Sequence, residues 1–128
     1  MQNKQTYQHM IRVYAEDVDF MGIVYHANYL CYLERARTEM LRQNNLMLSD
    51  LAQSEVLFAI NELKIKYLYP AKLDDLLTIT TEYKILKRCS LVFNQSITNQ
   101  QGTLIVNAEV NVVCVNRNLK PIKVPKLI

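Results

Sequence analysis

The chain has 128 residues, of which 50% are apolar and 21% charged, and its formal net charge is +3. These values are ordinary for globular proteins, and a chain of this length predicts one compact domain over residues 1–128. No apolar stretch approaches the roughly 18 residues that a membrane-spanning helix requires, and the polar opening residues predict no cleaved signal. The 15 basic and 12 acidic residues are interspersed, which argues against nucleic acid as a partner and is compatible with a small anionic ligand.

The three cysteines, Cys31, Cys89 and Cys114, are widely spaced and form no C-x-x-C motif. An odd number of cysteines at such spacing predicts neither a disulfide framework nor a zinc site. We therefore expect a protein of the reducing cytoplasm that needs no metal or other cofactor.

The apolar pattern changes along the chain. Residues 7–14 have the composition of a strand, and residues 27–43 repeat apolar side chains at intervals of three and four, which predicts a helix of about 25 Å. Residues 62–69, 77–85, 91–97 and 104–114 alternate between apolar and polar side chains, which predicts four long antiparallel strands. This order predicts an α+β fold in which a curved antiparallel sheet of five to six strands wraps around a long central helix.

Residues 16–29 are the segment with the most unusual composition, because three carboxylates precede an apolar turn, a histidine and the start of the helix. A helix start offers unpaired N–H groups that can bind a carbonyl oxygen gaining negative charge. A carboxylate beside them can act as a base or a nucleophile. The alternative is structural: Asp17 or Asp19 complements the helix end, and His26 is a hydrogen-bonded scaffold residue.

Two adjacent motifs carry a family resemblance. They read Asp19-x-x-Gly22-x-Val24-Tyr25-His26-Ala27-Asn28-Tyr29 and Leu33-Glu34-Arg35-Ala36-Arg37. Together they resemble the signature of the 4-hydroxybenzoyl-CoA thioesterase family of hotdog-fold proteins, and within it the Tol-Pal-system-associated acyl-CoA thioesterase branch. Further matches at residues 67–71, 73–75, 90–93 and 112–115 extend the resemblance over nearly the whole chain.

The resemblance implies a hotdog fold and hydrolysis of a CoA or acyl carrier protein thioester to a free acid and a thiol. The family's essential carboxylate corresponds to Asp19, and its carbonyl-polarising N–H corresponds to His26, whose side chain also counts as part of the site. Gly22 and Tyr25 of the same motif are expected to contact the substrate. Family active sites lie at a dimer interface, so we expect a homodimer or a tetramer of dimers, cytoplasmic or peripheral at the inner membrane.

Two basic segments are candidates to bind the CoA part of the substrate or a partner. Lys87, Arg88 and Ser90 lie at a predicted strand turn, where they either bind the phosphates of CoA or form a solvated hairpin end. Three lysines between residues 120 and 126 fit either a solvated tail or contact with an anionic carrier protein or membrane surface.

Two other functions compete with hydrolysis. Hotdog proteins include hydratases and dehydratases, and a non-catalytic acyl-carrier-binding scaffold at the inner membrane is the second alternative. Release of free thiol distinguishes hydrolysis from both, because neither alternative breaks the thioester.

Overall fold

A computed structural model describes residues 6–126 as one antiparallel sheet packed on one long helix. Residues 1–5, which include most of the polar opening segment, and residues 127–128 lie outside the described part. The strands lie side by side in the order β1-β3-β4-β5-β2. In chain order the elements are β1 (Tyr7–Arg12), a 3-10 turn (Ala15–Asp17), α1 (Asn28–Gln43), α2 (Leu48–Gln53), β2 (Leu57–Tyr67), β3 (Leu76–Lys87), β4 (Ser90–Thr98) and β5 (Leu104–Val115).

The predicted α+β architecture is confirmed, with five strands. Most predicted boundaries differ from the observed ones by only a few residues, but β2 begins five residues before its predicted start. A β-bulge between Ile60 and Glu62 explains this difference. The extra residue breaks the two-residue alternation, so the first half of the strand does not show the expected pattern.

The helix α1 covers one face of the sheet. Its buried side chains recur at helical spacing, and they are Tyr29, Tyr32, Leu33, Ala36, Met40 and Leu41. They pack against alternate apolar residues of the strands, including Leu77, Ile79, Phe93 and Val110. The opposite face carries polar side chains such as Lys64, Glu82 and Glu109, and it is left to solvent in the single chain.

A polar cluster interrupts this apolar core. Gln95, only 2% exposed, donates from Nε2 to the Leu33 carbonyl (3.0 Å) and to Thr81 Oγ1 (2.9 Å). Its Oε1 accepts a hydrogen bond from Arg37 (3.0 Å), whose guanidinium also lies 5.9 Å from the centre of the Phe93 ring. Two hydrogen bonds and one cation–π contact therefore join α1 to the middle of the sheet.

The strand register gives the sheet two distinct ends. Tyr67, the last residue of β2, pairs with Val106 of β5, whereas Ser90, the first residue of β4, pairs with Val113 of the same strand. At about 3.3 Å per residue, these two positions are about 23 Å apart. We call them the Tyr67 end and the Ser90 end of the sheet.

Among residues 6–126 no helix is long and apolar enough to cross a membrane.

Candidate active site

A short hairpin precedes α1 at the Tyr67 end of the sheet. Asp17 and Tyr25 pair through a backbone hydrogen bond (3.1 Å), Val18 bridges Val24, and the Asp19 N–H donates to the Ile23 carbonyl (2.9 Å). The turn closes at Gly22, whose φ of 79° lies in the left-handed region that glycine adopts without strain. We call residues 17–25 the catalytic hairpin, because they include Asp19, the predicted catalytic carboxylate.

The hairpin fixes the carboxylate of Asp19. Oδ1 accepts hydrogen bonds from the backbone N–H groups of Met21 (2.8 Å) and Ile23 (3.5 Å). Oδ2 accepts none from residues 6–126, and the side chain is half-buried. One oxygen thus holds the carboxylate in place while the other remains available to a water molecule or a carbonyl carbon.

The chain leaves the hairpin through His26 and enters α1 with unpaired N–H groups. Asn28 and Leu30 donate to the carbonyls of Tyr25 and Ala27, whereas the N–H groups of His26 and Ala27 meet no acceptor within the described chain. Unpaired N–H groups at the positive end of a helix are suited to bind an oxygen that gains negative charge.

Aromatic side chains surround His26. Its imidazole is exposed, with the Tyr25 ring centre 4.5 Å away and the Tyr67 ring edge-on at 6.3 Å. The Tyr67 hydroxyl donates to the His26 carbonyl (3.1 Å) and so fixes the peptide plane between His26 and Ala27. The sequence pattern did not predict this contact, because Tyr67 is 41 residues from His26. Only the family resemblance of residues 67–71 drew attention to Tyr67.

The predicted substrate-binding residues divide into two groups. Gly22 and Tyr25 lie in the catalytic hairpin together with Asp19, and Tyr25 directly precedes His26. Lys87, Arg88 and Ser90 lie at the Ser90 end, about 23 Å away by strand register. A single chain therefore does not bring the two groups together.

Among the described residues, one cavity lies at the Ser90 end and another between that end and the middle of the sheet. One, of about 470 Å³, has an apolar floor that includes Ile85, Leu86 and Val124, and four cations line it: Lys87, Arg88, Lys123 and Lys126. The other, of about 200 Å³, lies between α1, α2 and β2. Its apolar wall includes Leu41, Phe58, Phe93 and Val112, and its polar residues are Glu34, Arg37 and Thr38.

A fixed carboxylate on a hairpin that leads into a helix start with free N–H groups is suited to acyl substitution at a carbonyl carbon. The chain belongs to the thioesterase-like superfamily, whose sequence profile matches residues 13–128.

Individual relatives define the class more narrowly. The chain is 44% identical to the acyl-CoA thioester hydrolase YbgC of Escherichia coli O6:H1 over 127 residues, covering 98% of this chain and 95% of the relative. It is 43% identical to the acyl-CoA thioesterase YbgC of Haemophilus influenzae over 119 residues, covering 91% of this chain and 86% of the relative. A probable thioesterase from Bartonella henselae superposes with a TM-score of 0.88 at 34% identity, covering 94% of this chain and all of the other.

These findings confirm the predicted family and the hotdog fold, and they identify the protein as an acyl-CoA thioester hydrolase. They do not favour the hydratase or the scaffold alternative.

Proposed function

We propose that Asp19 and the N–H groups at the start of α1 carry out thioester hydrolysis. The substrate carbonyl oxygen binds the N–H of His26, which stabilises the negative charge that develops on that oxygen. The free Oδ2 of Asp19 then acts on the carbonyl carbon or on a water molecule beside it. The observation that carries this proposal is the unpaired His26 N–H at the exit of the hairpin that fixes Asp19.

Two routes use the same groups. In one, Asp19 removes a proton from water, the hydroxide adds to the carbonyl carbon, and the carbon–sulfur bond breaks to release the thiol. In the other, Asp19 attacks directly, the thiolate leaves, and water hydrolyses the resulting mixed anhydride. Hydrolysis in ¹⁸O-labelled water under single-turnover conditions detects the anhydride route when water adds to the Asp19 carboxyl carbon, because the label then enters the Asp19 carboxylate, whereas the base route labels only the product acid.

The first test is thiol release from a panel of acyl-CoA esters. We expect Asp19→Asn to lower kcat about a thousandfold while the fold is kept, since an amide is neither a base nor a nucleophile. Glu16→Gln is the matched control, because it neutralises an exposed carboxylate three residues away. Full activity of Asp19→Asn would refute the assignment.

We infer that two copies of the chain form a dimer through β2. Within residues 6–126 this strand pairs with β5 alone, and a long unpaired edge is a template for another strand. Ile60, Leu63 and Tyr67 on its helix-side face are 54%, 37% and 47% exposed, which favours cover by a partner. A tetramer of two such dimers is the larger assembly that the family resemblance suggests.

Pairing of this edge with its own copy is antiparallel about a two-fold axis. The Tyr67 end of one subunit then lies beside the Ser90 end of the other. Lys87, Arg88 and Ser90 thereby approach the substrate of the partner subunit, and the neighbouring Lys123 and Lys126 add positive charge for the phosphates of CoA.

The same pairing brings the cavity of about 200 Å³ to the partner's Asp19. We propose that it receives the acyl group. Its volume holds about seven groups of the size of a water molecule, which fits a short acyl chain. Leu41→Trp should fill it and shift the preference toward acetyl-CoA, and an unchanged chain-length preference would refute this part.

We also propose a cytoplasmic location with peripheral contact at the inner membrane, in line with the Tol-Pal-associated branch that the sequence resembles. The basic C-terminal segment supports such a contact and also fits an acidic acyl carrier protein as an alternative carrier of the acyl group. Cell fractionation, and thiol release from acyl carrier protein thioesters beside CoA esters, test these two points.

A further inference from the structure

Asp17 makes several hydrogen bonds within the chain, and none of them involves the reacting atoms. Its carboxylate accepts a hydrogen bond from the Tyr14 N–H at Oδ2 (2.8 Å) and from Asn28 Nδ2 at Oδ1 (2.9 Å). Its backbone carbonyl accepts the Tyr25 N–H (3.1 Å). The residue thus contacts the chain before the catalytic hairpin, the far strand of the hairpin and the first residue of α1.

The Asp17–Asn28 contact closes a loop around the proposed site. Asp19 lies two residues after Asp17, and the free N–H groups of His26 and Ala27 lie just before Asn28. A side-chain bond between residues 17 and 28 therefore restrains how far the hairpin can move from the helix start. Misplacement of reacting groups by about 1 Å costs about a hundredfold in rate.

The surroundings of Asp17 favour a fixed position. Tyr32, one helical turn after Asn28, is 1% exposed, and its hydroxyl lies close to the side chains of Asp17 and Asn28 without a well-aligned hydrogen bond to any group of residues 6–126. Burial, followed by hydrogen bonding to Asp17 and then by the charge of Asp17, raises the pKa of that hydroxyl. A negative charge near the start of α1 also stabilises the helix dipole.

We propose that Asp17 is a positioning residue for thioester hydrolysis: its bond to Asn28 sets the distance between the Asp19 carboxylate and the free N–H groups at the start of α1. The inference rests on the roles proposed above for Asp19 and His26. Asp17 itself contacts no reacting atom and acts through the hairpin.

The decisive experiment exchanges the two partners. Asp17→Asn leaves one acceptor oxygen for the two donors, Tyr14 N–H and Asn28 Nδ2, so one of the two bonds is lost. Asn28→Ala removes the bond between residues 17 and 28 outright while placing a good helix former in α1. The double variant Asp17→Asn/Asn28→Asp restores a donor at residue 17, an acceptor at residue 28 and the negative charge. Asn99→Ala is the matched control, because Asn99 also accepts two backbone hydrogen bonds, from Gln101 and Thr103 (both 3.0 Å), in the turn between β4 and β5 and outside the catalytic hairpin.

We expect each single variant to lower kcat about 10- to 100-fold while KM stays within about twofold, since substrate-binding groups are unchanged. The exchanged double variant should recover most of the parental kcat. Asn99→Ala should retain the parental kcat even though it loses about as much thermal stability as the single variants. Single variants with unchanged kcat would overturn the proposal. So would an exchanged variant that regains the parental melting temperature but not its kcat.

Asp19→Asn, assayed in parallel, separates the two levels of the argument. If Asp19→Asn is inactive and Asn28→Ala is fully active, only the positioning role fails. If Asp19→Asn is fully active, the proposed function fails with it.

Discussion

Two impaired variants should restore each other's activity when their subunits mix, because the cations that we propose to bind the substrate lie about 23 Å by strand register from the catalytic hairpin of the same chain. The first variant is Asp19→Asn and the second is Lys87→Ala/Arg88→Ala. In the proposed antiparallel dimer, each active site would take Asp19 from one subunit and the two cations from the other. A mixed dimer therefore contains one site with both elements intact and one site that lacks both.

The size of the recovery follows from this arrangement. A hydrogen bond to a charged group contributes about 1.5–3 kcal/mol, so loss of both cations should lower kcat/KM about a hundredfold or more. Random exchange of equal amounts makes about half of the dimers mixed, so about a quarter of all sites regain the parental kcat/KM.

The assay is thiol release at substrate concentrations well below KM, measured before and after subunit exchange, with native mass spectrometry to count mixed dimers. If mixed dimers form and activity stays at the sum of the two parents, the cations do not serve the partner's substrate. In that case the arrangement of the site across the dimer is wrong.

Three further outcomes test other parts of the structure. Leu63→Lys places a charge on the edge of β2, so analytical ultracentrifugation should find a monomer with little activity, and an active dimer would contradict the interface. Burial keeps Tyr32 protonated in the folded state above pH 10, whereas the unfolded state ionises it. The free energy of unfolding should therefore fall by about 1.4 kcal/mol per pH unit because of this one group. Tyr32→Phe should show a correspondingly smaller loss in urea titrations at pH 9 and pH 11, and equal losses would refute the reasoning. Burial raises the pKa of Cys114 to about 11, so a thiol reagent at pH 8 should label exposed Cys31 and reach Cys114 only after unfolding, as peptide mass spectrometry can verify.

Local patterns were enough to predict much of the fold. Apolar residues spaced three and four positions apart identified α1, and alternation of apolar and polar residues identified the strands. The first half of β2 was missed because the bulge between Ile60 and Glu62 shifts the side chains out of phase. The order of the strands in the sheet is a long-range property that alternation does not encode.

The candidate site shows the same division. Asp19 and His26 are seven residues apart within one motif, so their placement on one hairpin and at its exit into the helix could be anticipated from the sequence. The bond from Tyr67 to the His26 carbonyl joins residues that are distant in sequence. The location of Lys87 and Arg88 at the opposite end of the sheet depends on strand register, and so the sequence alone could not indicate that they face away from Asp19.

The polar cluster around Gln95 has a consequence for how α1 can move. Apolar packing is tolerant of sliding, whereas the bonds from Gln95 to the Leu33 carbonyl and from Arg37 to Gln95 are satisfied at one axial position of the helix. A slip of one residue would carry the N-terminus of α1 by about 1.5 Å. A buried amide in the middle of the core thereby fixes the axial position of the N-terminus of α1, where we propose that the thioester carbonyl binds.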